Sequence, residues 1–290
     1  MKVWLNGKLV DKAKACVSVF DHGLLYGDGV FEGIRVYNGT IFQCEAHLDR
    51  LFASAEAIRL PIPMTRQEIT RAMQQAMRAN QVREGYIRLV VTRGAGTLGL
   101  GPFDCSGGSV FIIADQVALY PQQMYEDGLA VVIARHRRIS PDMLPPAVKS
   151  LNYLNNILAK IEAIDAGAGE ALMLNAQGEL SEATGDNIFI VRDGIVLTPP
   201  PEAGVLVGIT RKVVMDLCRE LGVPLEEKPL TAQELLSADE AFLTGTAAEV
   251  IAVTRVDGKP IGAGKPGPIT RKLLAAFRDF IRAECGSGPA

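Results

Sequence analysis

Apolar and polar positions along the chain follow two rhythms. Short apolar runs are broken by Asn6-Gly7, Asn38-Gly39, Asp193-Gly194 and Asp257-Gly258, and Ala176-Gln177-Gly178 makes a fifth break of this kind. Asn or Asp followed by Gly tolerates the positive φ that a two-residue turn demands, so these breaks predict antiparallel hairpins. Residues 86–92, 109–114 and 129–134, rich in Val and Ile, read as further strands, and 240–243 as a short apolar one. Elsewhere apolar residues recur every three or four positions, predicting helices over 45–58, 151–166, 210–221 and 269–284. Thr65 with Glu68, and Thr231 with Glu234, have capping-box spacing and open helices at 66–80 and just after Thr231.

Interleaved helices and hairpins predict an α+β protein. The polar, proline-containing stretch 119–126 is expected to link a smaller α+β domain, 1–118, to a larger one, 127–290, and the tail 286–290 reads as disordered. Composition fits two such domains, since 290 residues at 48% hydrophobic are too apolar for a disordered chain. A formal charge of -3 offers no general field for nucleic acid. The apolar runs fall short of the ~20 residues a membrane helix needs, and the first residues lack the apolar core of a secretory signal. Five scattered cysteines and three scattered histidines, with no C-x-x-C, predict neither a disulfide framework nor a metal site and suit reduced thiols in a cytoplasmic protein.

The chain lacks G-x-G-x-x-G, a P-loop, H-E-x-x-H and G-x-S-x-G, which weakens dinucleotide, nucleotide and common hydrolase readings. Three features remain. Lys149 follows three prolines and precedes the predicted helix 151–166, whose positive end would disfavour its ammonium, as a lysine that bonds a carbonyl requires. Gly208-Ile209-Thr210 leads into a helix whose first N–H groups suit a phosphate, and Thr244-Gly245-Thr246-Ala247 is a second candidate cradle. Glu182 lies in a polar segment between two apparent strands. Each has an ordinary alternative: a solvated lysine, a glycine turn with a threonine cap, an exposed turn carboxylate. Arg50 falls opposite the apolar stripe Leu48, Leu51, Phe52, Ala55 and Ile58, and by itself reads as solvated.

Taken in order, seven segments resemble the class IV (fold-type IV) pyridoxal-phosphate enzymes, and within them the branched-chain amino acid aminotransferases. They are YGDGVFEGIR from Tyr26, HLDRL from His47, YIR from Tyr86, KSLNY from Lys149, SEATGDNIF from Ser181, GITR from Gly208 and GTAAE from Gly245. The resemblance implies a two-domain fold with pyridoxal 5'-phosphate in the crevice between the domains. It implies that Lys149 bonds the cofactor and carries the proton, that Glu182 faces the pyridine nitrogen, and that Tyr153, four residues past the lysine and so expected on the same helical face, reaches the phenolic oxygen. Arg50, Ile209, Thr210 and Thr246 would hold the phosphate, with Leu206 against the ring.

For substrate, it implies Arg88 as receiver of a distal carboxylate, with Phe31, Tyr86, Arg35 and Tyr120 as lining. Thr246 and Ala247 would meet the α-carboxylate, and Tyr26 would come from a second subunit of a homodimer. The activity implied is transfer of the amino group of L-leucine, L-isoleucine or L-valine to 2-oxoglutarate by a ping-pong mechanism. D-amino acid or (R)-amine transamination and 4-amino-4-deoxychorismate lysis are the alternatives on the same fold. Residues 93–102, RGAGTLGLGP, lack the R-x-H pattern of D-specific enzymes and favour L-amino acids.

Overall fold

The computed structural model describes residues 1–116 and 120–286; residue 119 of the expected linker and residues 287–290 of the expected tail lie outside the described residues. The chain forms two compact units. The first comprises Met1–Ala118, Val148–Asn152 and Ile281–Ala290, and the second Leu119–Ala147 and Tyr153–Phe280. The lysine segment therefore belongs to the first unit although it lies far along the chain.

In the first unit the strands are β1 (Lys2–Leu5), β2 (Lys8–Asp11), β3 (Gly29–Tyr37), β4 (Thr40–Ile41), β5 (Gly85–Thr92) and β6 (Ser109–Asp115), with helices α1 (His22–Tyr26), α2 (Cys44–Ala57) and α3 (Arg66–Ala79). One antiparallel sheet results, in the order β2-β1-β6-β5-β3-β4. Val30, Ile34 and Val36 alternate onto the face of β3 that packs with Leu48 and Leu51 of α2 and with Ile69 and Met73 of α3. Phe31, Gly33 and Arg35 take the other face. Thr65 and Glu68 form the expected capping box.

The second unit contains α4 (Gln122–Asp127), β7 (Leu129–Ile133), α5 (Leu154–Asp165), β8 (Glu170–Leu174), β9 (Leu180–Ala183), β10 (Asn187–Arg192), β11 (Ile195–Thr198), α6 (Ile209–Glu220), β12 (Leu225–Glu227), α7 (Ala232–Leu236), β13 (Glu240–Gly245), β14 (Glu249–Val256), β15 (Lys259–Pro260) and most of α8 (Pro268–Cys285). Its sheet runs β12-β11-β10-β13-β14-β7-β8-β9, with β15 on β14. Phe189 and Phe242, directly opposite on β10 and β13, stack with ring centres 5.0 Å apart and are fully buried at its centre.

All five expected hairpins form. At the four Asx-Gly turns φ is 45–50° at the first residue and 76–91° at the glycine, the signature of a type I′ turn. Three departures matter. β7 pairs in parallel with β8 and β14, and β11 with β12, because these connections are crossovers that leave no local turn signal. The stretch 119–126 includes most of α4, and Tyr125 hydroxyl donates to Ala248 O at 3.1 Å. The helix expected from 151 begins only at Leu154.

Candidate active site

That last difference changes the setting of Lys149. Its segment is extended and lies beside β3: Phe31 N donates to Lys149 O at 3.0 Å, Leu151 N to Gly29 O at 2.9 Å, and Val30 and Ser150 form an antiparallel bridge. The helix end expected beside the lysine is absent, so that argument for tuning its ammonium fails. Lys149 N instead donates to the buried Ser54 hydroxyl at 3.1 Å. The expected shared helical face of Lys149 and Tyr153 is likewise wrong, since Tyr153 is the residue before α5.

The side chain of Lys149 meets the sheet face opposite the helices. Its Nζ stands 4.7 Å from the ring centre of Phe31, and Arg88 Cζ stands 4.6 Å from the same ring and 5.6 Å from that of Tyr86. Register explains the grouping: Gly33 lies opposite Arg88 and Arg35 opposite Tyr86 on β3 and β5. Gly33 makes room for the Tyr86 ring in its present place, because a Cβ would fall 1.6 Å from the Tyr86 hydroxyl oxygen. Arg35 turns over Tyr37, 4.8 Å from its ring centre. Tyr26, at the end of α1, donates its hydroxyl to Leu98 O at 2.6 Å.

Arg50 departs most from its local reading. Its side chain is only 13% exposed, and its guanidinium grips Glu32, Nε to Oε1 at 2.7 Å and Nη2 to Oε2 at 2.8 Å. Glu32 is fully buried and also meets His47 Nδ1 at 2.7 Å. Burial pushes the Glu32 carboxyl up, but hydrogen bonds and charges of Arg50 and His47 outweigh it and hold the group at about 2. Burial also lowers the His47 pKa, against the opposing pull of Glu32. His47, Arg50 and Ser54 recur at i, i+3 and i+7 of α2, a second stripe beside the apolar one. That spacing was the signal for His47 and Ser54, to which, as to Glu32, the sequence reading gave no role.

In the second unit Glu182 lies on β9, buried, and not in an exposed turn. Its Oε1 meets Arg138 Nη2 at 2.8 Å, while Oε2 accepts from Asn187 Nδ2 at 3.1 Å and Leu206 N at 2.9 Å. Arg138 also donates to Gly204 O and to Asn156 Oδ1. An ion pair and two further donors favour the charged form of a buried carboxylate, which is what a protonated ring nitrogen needs opposite it. Gly208 precedes α6 and has no side chain to cap it, so the N–H groups of Ile209 and Thr210 point out of an uncapped helix end. A Cβ at Gly208 would fall 2.1 Å from Asn187 Oδ1, and one at Gly245 1.7 Å from Asp186 Oδ1. Thr246 and Ala247 form the half-buried turn between β13 and β14. Tyr120 packs on this unit's core, where burial, with Asp186 and Glu170 adding to it, pushes its phenol up.

The donor set fits pyridoxal phosphate within each unit: a primary amine on an aromatic ring in one, and a buried ionised carboxylate and an uncapped helix end in the other. The comparisons agree. The amino-transferase class IV family model matches residues 29–256. A protein of Methanocaldococcus jannaschii, provisionally named a branched-chain-amino-acid aminotransferase, is 50% identical over 99% of this chain and 98% of its own. The D-alanine aminotransferase of Bacillus licheniformis is 36% identical over 98% of this chain and 98% of its own. Among solved structures, the branched-chain aminotransferase of Thermoproteus uzoniensis with norvaline superposes with a TM-score of 0.91 at 40% identity, covering 98% of this chain and 95% of that one. The PLP-form of the branched-chain enzyme from Thermobaculum terrenum gives 0.88 at 33%, covering 98% and 96%. This chain belongs to the class IV aminotransferases.

Proposed function

We propose that the protein transfers amino groups between L-branched-chain amino acids and 2-oxoglutarate, using pyridoxal 5'-phosphate in two half-reactions. The observation that carries this reading is the pair of cations on Phe31, Lys149 at 4.7 Å and Arg88 at 4.6 Å from one aromatic ring. A nucleophilic amine and a carboxylate receiver then share an apolar wall, as an enzyme taking both leucine and glutamate requires. When bound, the cofactor supplies a reactive carbonyl and a ring that accepts the electrons released at the substrate α-carbon.

The chain's residues do the rest. Lys149 Nζ bonds the cofactor at rest and afterwards moves a proton to and from the α-carbon. Glu182, held ionised by Arg138, keeps the ring nitrogen protonated. Tyr153 binds the phenolic oxygen, and Leu206 lies against the ring. Arg50, the amides of Ile209 and Thr210, and Thr246 hold the phosphate. Thr246 and Ala247 receive the α-carboxylate, while Phe31, Tyr86, Arg35 and Tyr120 surround the side chain and Arg88 receives the distal carboxylate of glutamate.

L-specificity has its own support. Arg93 is buried in a two-point pair with Asp28, at 2.8 and 2.9 Å, and donates to the carbonyls of Ile58 and Arg59. Residues 94–103 carry no other cation, so this loop offers a D-substrate's carboxylate no receiver.

Two exposed apolar surfaces support a homodimer. On α5, Leu154, Ile157, Leu158, Ile161 and Ile164 form a seam at least 36% exposed, while the buried face holds Asn156, Ala159 and Ala163. In the first unit Val19, Leu24, Leu98, Leu100 and Phe103 are each more than 60% exposed. Among the described residues no helix is long and apolar enough to cross a membrane. The five free thiols suit a reducing compartment such as the cytoplasm.

The test mixes holoenzyme with single L- and D-amino acids while the cofactor's absorbance is followed. Rapid conversion by L-leucine, L-isoleucine, L-valine and L-glutamate is expected, and loss of the lysine-linked band in Lys149→Ala. Conversion by D-alanine in their place overturns the substrate assignment.

A further inference from the structure

A fully buried carboxylate beside a prospective phosphate ligand is at first sight a contradiction, because its charge opposes the incoming anion. Glu32 stands in that position, gripping Arg50 through both oxygens at 2.7 and 2.8 Å. We propose that Glu32 is a positioning residue: with His47 behind it, it clamps the Arg50 guanidinium in the one orientation that meets the cofactor phosphate. The inference rests on the reading of Arg50 as a phosphate ligand.

The geometry supports orientation over charge. A guanidinium is planar, so two bonds to one carboxylate fix both its plane and its direction, with the edge carrying Nη1 turned away from Glu32. A free arginine would lose several rotatable bonds on binding, whereas a clamped one has lost them in folding. The clamp itself is braced. Glu32 is ionised and only accepts, so His47 Nδ1 is the donor in their 2.7 Å contact. His47 Nε2 is then a bare acceptor, fully buried and without a hydrogen-bond partner. Leaving it so is costly, and the bond to Glu32 is what that cost obtains.

The experiment titrates apoenzyme with pyridoxal 5'-phosphate and, separately, with pyridoxal, which lacks the phosphate. Glu32→Gln is expected to weaken the phosphorylated ligand about tenfold and pyridoxal by less than about twofold, the loss of one charge-assisted contact. In an Arg50→Ala background the same change is expected to do nothing more, since its effect runs through Arg50. His47→Leu is expected to act in the same direction, and His47→Asn, which keeps a donor, to leave both affinities unchanged; these two carry the test if Glu32→Gln does not fold. Equal weakening of both ligands means that Glu32 is merely structural, and unchanged or tighter phosphate binding means that only its charge matters; either result overturns the proposal. If Arg50→Ala itself fails to discriminate between the ligands, the phosphate assignment of Arg50 falls first, and this inference with it.

Discussion

Arg138 Nη2 meets Glu182 Oε1 at 2.8 Å with both side chains almost enclosed, and the same guanidinium is tied to Gly204 O and Asn156. Removing one partner strands the other as an uncompensated charge. Arg138→Met is expected to lower stability by about 3 kcal/mol, read from the urea midpoint at pH 7. Arg138→Lys keeps the charge but not the fork, and an intermediate loss is expected.

Gly33 sets the position of Tyr86. With a Cβ only 1.6 Å from the Tyr86 hydroxyl oxygen, Gly33→Ala must swing that ring aside. Because the displaced atom ends a side chain, the fold is expected to survive with a melting temperature within a few degrees. The kcat/KM for L-leucine is expected to fall about tenfold, about 1.4 kcal/mol of lost transition-state binding.

Arg88 is expected to separate the two substrates of the cycle. Arg88→Ala should weaken 2-oxoglutarate and L-glutamate by about a hundredfold and L-leucine by only a few-fold, because only the former bring a second carboxylate to it. Steady-state KM values for the two half-reactions measure this; parallel losses would assign Arg88 a structural role.

Acid stability has a defined source in Glu32. Its folded pKa of about 2 lies below the ordinary 4.5, so its contribution is complete above pH 4.5 and is lost as pH falls toward 2. A shift of that size corresponds to on the order of 3 kcal/mol. His47, whose pKa burial lowers, adds a loss in the same direction once pH drops below the ordinary histidine value of 6.5. Glu32→Gln is expected to flatten the dependence of unfolding free energy on pH between 4.5 and 2.

The seam on α5 is expected to hold subunits together. Leu158→Asp with Ile161→Asp should yield monomers in light scattering, with the secondary structure retained in circular dichroism. A dimer that survives both charges would place the interface elsewhere.

What the sequence made legible was local. Asn38-Gly39 or Thr65 with Glu68 dictates a turn or a helix start through neighbours in the chain, and each forms where expected. Lys149 was misplaced because its extended conformation is imposed by β3, more than a hundred residues earlier, and no nearby residue encodes that pairing. Glu182 read as a turn because Asp186 and Asn187 look polar; in the fold all three are buried, Asp186 in the bend before β10 and Asn187 at its start, donating to Glu182. The spacing on α5 announced a helix correctly yet could not say which face is covered, and the small residues Ala159 and Ala163 hold the inside. Arg50 needed its partner Glu32, which alternation on β3 hides between Phe31 and Gly33.

The first unit closes with residues from the far end of the chain: Gln43 N donates to Glu284 Oε1 at 3.0 Å, and Asn38 Nδ2 to Cys285 O at 3.2 Å. Domains usually fold in order as they leave the ribosome. Here the N-terminal unit waits twice, first for the segment bearing Lys149 and then for the last turn of α8, so it is completed only after the second unit has been made. A truncation at the C-terminus is thereby a lesion of the N-terminal domain.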